Sequence, residues 1–243
     1  MICEQNAIRC CDFRSVGGCF FGENMVEYIW RFEFDLMFIK TWEMKRMSES
    51  TIEDFYSITM TGRLCYIFMC IERYLISMYP DRDWTPIAKR MWQWTTHWWD
   101  ESWDIYSEAV PEYILEFDSY DETNELSYEG KLNKDDYDKI TALFKGITNG
   151  DGTDELCRVL MIPSEFGSEC DGTCIKGAEP YVAELIDEIE GILKKHNIAL
   201  PDKSMLSRFQ YDRGKPVGRG EKEPGWGDFE NTEFLSIILN HSN

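Results

Sequence analysis

Histidine is scarce in this chain, long apolar runs are missing, and basic residues are heavily outnumbered. The three histidines are His97, His196 and His241, too few to furnish a metal or acid–base centre without help from other residue types. The longest uninterrupted apolar stretch, Leu64 to Ile71, falls far short of the roughly 18 residues that span a bilayer, so it reads as a core helix. Lysine and arginine total 25 against 45 acids, a net charge of −20. A surface that negative repels phosphate backbones and anionic lipid head groups, which argues against direct nucleic-acid or membrane binding. A nucleophile elbow, a Walker loop, a zincin helix and a deaminase signature are all lacking, and Gly218 with Gly220 does not extend to a dinucleotide-binding GxGxxG. The expectation is therefore no catalytic residue, no cofactor and no metal.

Cysteine is plentiful, but its pattern carries little chemistry. The nine thiols, at positions 3, 10, 11, 19, 65, 70, 157, 170 and 174, are odd in number and lack the spacings of a zinc ribbon or finger. Residues 2–21 are interrupted by Glu4, Arg9, Asp12 and Arg14 and form no apolar signal-peptide core, so the thiols read as reduced and the protein as cytoplasmic. With 43% hydrophobic and 14% aromatic residues, the chain has ample material to offset the entropy of folding.

The hydrophobic period predicts a mainly α protein, an irregular helical bundle over 47–243, preceded by an appendage over 1–46 of small β or mixed character. In that appendage Trp30, Phe32, Phe34 and Leu36 alternate with polar positions as in a half-buried strand, although Tyr28, Phe32, Leu36 and Ile39 also fit a helix. Thr51 with Asp54 reads as an N-cap pair. Leu64, Ile67, Phe68, Ile71, Leu75 and Met78 then mark a buried helix that ends near Pro80. Thr85 with Pro86 starts a helix that runs at least to Thr95. Asn133 with Asp136 starts another, and Thr153 caps a short one up to Met161. The turn before it, NGDGTDEL, fails as a calcium loop because aligning Gly152 to the invariant glycine puts Ile147 and Arg158 at ligand positions. Residues 164–177 read as a glycine-rich loop, Pro180 leads a helix to about His196, and residues 201–211 offer a further short helix. Phe234 to Leu239 reads as a buried strand or a docked terminal segment.

Between Trp84 and Phe117 lie six of the nine tryptophans. Most read as core, with an aromatic contact patch around Trp98 as the alternative. From Trp99 onward, Trp99, Trp103, Tyr106, Val110, Tyr113 and Phe117 form a seam on one helical face. Against it Asp100, Asp104, Glu108, Glu112 and Glu116 recur every four residues. Like charges at that spacing cost about 0.2–0.5 kcal/mol per pair, so the ladder calls for something positive to face it. Pro111 should kink or restart the helix and so bend or split the ladder. Fourteen acids against two lysines between Asp100 and Asp138 give a local net charge of −12.

The text TGRLCYIFMCIERYLISMYPDRDWTPIAKRMWQW, then YSEAVPEYILEF and the closing GWGDFENTEFLSIIL, resembles the all-helical immunity proteins of bacterial polymorphic-toxin and contact-dependent inhibition systems. The resemblance covers about residues 50–117 and the last fifteen. It implies a cytoplasmic protein without chemistry of its own that binds a cognate toxin protein. A basic, nuclease-type toxin would suit the charge, and the expected binding residues are Asp100, Asp104, Glu108, Glu112, Glu116 and Trp98. Two rival readings stand beside it. One is a small hydrolase or transferase using carboxylates with His97 or His196; the other is a subunit that self-associates through its tryptophans.

Overall fold

Thr59 opens the helix on which the others pack. Its hydroxyl accepts from the Gly62 amide at 3.2 Å and satisfies one of the free donors of the first turn. The computed structural model describes residues 49–96, 99–120, 132–170, 175–215, 218, 224–227 and 231–241, with the side chains of 99–102, 169 and 241 outside the description. The appendage expected over 1–46, including its strand, lies outside the described residues, as does any boundary near residue 46. Within them the fold is mainly α. Strand pairing is limited there to one antiparallel bridge between Ile58 and Gln210.

A first helix, α1, is described over 49–54. After it come α2 (Met60–Met78), α3 (Thr85–Gln93), α4 (Trp99–Ser107), α5 (Pro111–Ile114), α6 (Lys134–Phe144), α7 (Glu155–Cys170), α8 (Ile175–Lys195) and α9 (Ile237–His241). Shorter 3-10 turns cover Trp94–Thr96, Lys203–Phe209, Pro224–Trp226 and Glu233–Leu235. Helix α2 touches α3, α7, α8, α9 and the Lys203–Phe209 turn. It is buried around its circumference from Met60 to Ile71, as a helix with apolar residues on every face must be. Gly62 permits the close approach of the Lys203–Phe209 turn, because a Cβ there would lie 2.5 Å from Cβ of Phe209.

Two charged residues are sealed inside α2, and each is answered from a distant segment. Arg63 donates to the carbonyls of Ile58 at 3.0 Å and Phe55 at 2.9 Å and to Glu179 of α8 at 2.8 Å. Glu179 is shared with Arg213 at 2.9 Å, whose guanidinium also lies 3.9 Å from the Tyr56 ring centroid. Glu72, fully buried, accepts from Trp92 Nε1 at 2.8 Å, Ser236 Oγ at 2.5 Å and the Ile237 amide at 2.7 Å. The C-terminal segment is thus clasped to α2 and α3. It forms a 3-10 turn and helix α9 instead of a strand, because the Glu72 carboxylate draws in the free amide at the start of α9.

Several sequence boundaries move for local reasons. Thr51 lies within α1 and donates its hydroxyl to Asp187, so it caps nothing; Thr59 does the capping. Helix α3 begins at Thr85 itself, and Asp83 accepts from the Thr85 amide at 3.0 Å. It ends at Gln93 and tightens into the 3-10 turn Trp94–Thr96. Asn133 caps α6 as expected, by accepting from the Asp136 amide at 3.0 Å. Asp154, not Thr153, caps α7, through the Cys157 amide at 2.8 Å. The loop expected from residue 164 is helical to Cys170, with Pro163 inside α7. Helix α8 starts at Ile175, before Pro180. The carbonyl that Pro180 cannot bond belongs to Lys176, an exposed residue in the first turn. At its other end Asn197, at φ 56°, turns the chain so that the Ile198 amide reaches the Leu193 carbonyl at 2.9 Å.

Two measurements test these buried groups. In Glu72→Gln, one carboxylate oxygen becomes an amide that meets the Ile237 or Trp92 donor, and urea unfolding should show a loss of about 1–3 kcal/mol. For Glu179, burial pushes the carboxyl up, but the bonds from Arg213 and Arg63 outweigh it and hold the group below its ordinary value. Its stabilising contribution is then present above the unfolded value of about 4.3 and is lost as pH falls through the lower folded value. Burial raises Glu72, whose contribution runs the other way, falling as pH rises. Between pH 6 and pH 3 the urea midpoint of the wild type should therefore drop more steeply than that of Glu179→Gln.

Candidate partner-binding face

Pro111 divides the acidic ladder, as its missing amide requires. Helix α4 ends at Ser107 and α5 restarts at Pro111 after Val110, which is extended at φ −77° and ψ 151°. The apolar seam crosses this break and stays on α7. Tyr106 donates to the Leu160 carbonyl at 2.6 Å and Trp103 Nε1 to the Ser164 carbonyl at 2.8 Å. These two acceptors flank Pro163, which interrupts the backbone bonding of α7. Pro163 itself leaves the Val159 carbonyl, four residues back, without its helical donor, whereas the aromatic donors of α4 bond the carbonyls of Leu160 and Ser164. Gly167 lets them approach, since a Cβ there would fall 2.3 Å from Trp103 and 2.8 Å from Trp94.

The tryptophans of α3 and the turn after it are core. Trp84, Trp92 and Trp94 are buried, and Phe68 packs on the latter two with ring centroids 5.4 and 6.0 Å away. Trp98 lies outside the described residues, as does the side chain of Asp100 on α4. The other four acids separate into different environments. Asp104 is half-buried on α4, Glu108 is 8% exposed in the turn before the break, and Glu112 and Glu116 are exposed on and just after α5. The Glu112 carboxylate lies against the Gly152 turn, about 3.6 Å from where a Cβ would be.

A cation does face part of the ladder from inside. Buried Arg90 of α3 donates to the Ile105 carbonyl at 2.8 Å and to Asp136 at 3.2 Å. Burial lowers its pKa, while the charges of Asp136 and Glu108 support the guanidinium. The like-charge cost is thus met at Glu108 by an arginine that sequence spacing does not connect to it. Glu108 also reaches an open concavity of about 650 Å³, whose lining it shares with Asp104, Glu112 and Glu116. Its apolar lining comes from Trp103, Val110, Tyr113 and, across the cleft, Met161 of α7. Trp103, Val110 and Tyr113 belong to the seam read from sequence. Met161 had no sequence signal, because only the packing of α7 on α4 brings it there.

His196 is engaged elsewhere. Its Nε2 pairs with Glu155, which also takes Lys195 at 2.5 Å and Tyr74 at 3.3 Å. The Lys195 bond joins an acid in the first turn of α7 to a cation at the end of α8, where both helix dipoles favour them. His97 lies outside the described residues. Asp151 accepts from Thr153 in the Asn149–Thr153 turn, and no group of three or more metal-ligating side chains occurs among the described residues. No described helix is long and apolar enough to cross a membrane. Comparison with protein-family models, with curated proteins and with solved structures gives no match.

The packing of Trp103 on Gly167 is directly testable. Gly167→Ala places a methyl against two indoles, and we expect a loss of about 1–3 kcal/mol in thermal or urea unfolding. The near-ultraviolet circular dichroism of the folded protein should change with it.

Proposed function

We propose that this protein is an immunity-type inhibitor: a cytoplasmic protein that binds a basic toxin protein through the face formed by α4, α5 and α7. The observation that carries the reading is the combination at that face of an apolar concavity with Asp104, Glu112 and Glu116 in its lining. Apolar surface supplies binding energy, and the acids supply attraction, encounter rate and discrimination against acidic proteins. The net charge of −20 extends the same field beyond the site. A nuclease-type toxin, which carries cations for phosphate binding, is the complement this charge suits best. The protein acts by occupancy and contributes no catalytic group.

Co-expression with the protein encoded directly upstream in its own genome tests the reading. The wild type should preserve growth, and Asp104→Lys/Glu112→Lys/Glu116→Lys should lose that protection while keeping its helical circular dichroism. The triple variant should bind the toxin about tenfold or more weakly and with less dependence on salt. Failure of the wild type to protect overturns the assignment as an inhibitor. Protection by the triple variant equal to that of the wild type removes these acids from the interface.

A further inference from the structure

We infer that the α4–α5–α7 concavity receives a basic amphipathic helix, which seats apolar side chains one turn apart and lays its lysines or arginines on the acidic rim. The inference rests on the reading of this face as a binding surface and specifies what the partner presents there. Three observations converge on the occupant. The volume, about 650 Å³, lies within the roughly 300–1,000 Å³ that encloses a drug-sized group, so it admits more than one side chain. The floor is apolar and joins an adaptable part, Met161, whose thioether fits varied shapes, to the half-buried rings of Trp103, held by the Ser164 carbonyl, and Tyr113. Glu112 and Glu116 are exposed one turn apart in sequence on and after α5, the spacing at which cations recur on a helical ligand.

Charge sets aside the other occupants. A second copy of this chain would bring −20 against −20 and place acids on acids. A nucleic-acid strand would be repelled by the same field. A helix with an apolar stripe and basic flanks meets both parts of the surface at once, as in helix-in-groove recognition.

The experiment uses the full chain and a synthetic, fluorescently labelled helical peptide with leucines at i, i+3, i+4 and i+7 and lysines elsewhere. Fluorescence anisotropy should show saturable 1:1 binding that weakens as salt is raised. A peptide with glutamates in place of the lysines should not bind. A lysine peptide with alanines in place of the leucines should bind about tenfold or more weakly, the loss of its buried anchors. Ser107→Phe, which fills the concavity, should weaken the leucine–lysine peptide by a similar factor. If that variant does not fold, Glu112→Lys/Glu116→Lys, changed only at exposed positions, should do the same. Equal binding of the alanine peptide, equal binding by the filled or reversed variants, or displacement at matched affinity by a small alkylammonium ion would each overturn the inference. Growth protection that depends on the acids yet survives Ser107→Phe would overturn this inference alone and leave the inhibitory reading standing.

Discussion

The three donors that converge on Glu72 are the interaction on which the rest of the arrangement depends. At Glu72 helix α2 is fully buried, so the carboxylate there has no route to water and must be satisfied by protein. Trp92 from α3 and Ser236 with Ile237 from the C-terminal segment meet that demand. Arg63 makes the same demand at the other end of α2, where Phe55, Ile58 and Glu179 answer it. Two buried charges of opposite sign thereby determine which faces of α2 receive α3, α8 and the C-terminus. Apolar packing alone would leave these choices less restricted.

The placing of α3 has a consequence for the acidic face. Once Trp92 is held by Glu72, Arg90 on the same helix is directed beneath α4, where it bonds the Ile105 carbonyl and supports the charge of Glu108. The acid nearest the core is thus compensated internally. Glu108 nevertheless shares the lining of the concavity with Asp104, Glu112 and Glu116, and the proline break gives these acids a different outlook from that of a straight helical stripe. The surface proposed for binding is therefore a by-product of how α3, α4 and α7 are forced to meet.

Much of the helical content was legible in the residues. The stripe from Leu64 to Leu75, the Asn133 cap, the break at Pro111 and the Trp103–Phe117 seam all appear where local rules place them, because each is decided within a turn or two of helix, whereas Met78 at the end of the stripe is exposed. The errors share one cause. Gly167 reads as a loop residue, yet it lies within α7, where its missing side chain leaves room for two indoles from distant segments. Pro180 reads as the start of a helix, yet it lies inside α8 within reach of solvent, and Pro163 lies inside α7 beside aromatic donors from α4. Phe234 to Leu239 left strand and docked segment undecided until the Glu72 carboxylate settled the matter.

By itself the sequence determined that the chain is mainly helical, that its net charge is strongly negative, and that acids recur every four residues opposite an apolar seam. These are properties of composition and period, set by neighbours along the chain. Only the tertiary structure decided that the acids fall into different environments, that Arg90 answers Glu108, and that Met161 closes an apolar floor beside Asp104, Glu112 and Glu116. Those outcomes depend on side chains tens of residues apart meeting in one place. No local period encodes that meeting, which follows from the need of buried charges and close-packed rings to find partners wherever the fold supplies them.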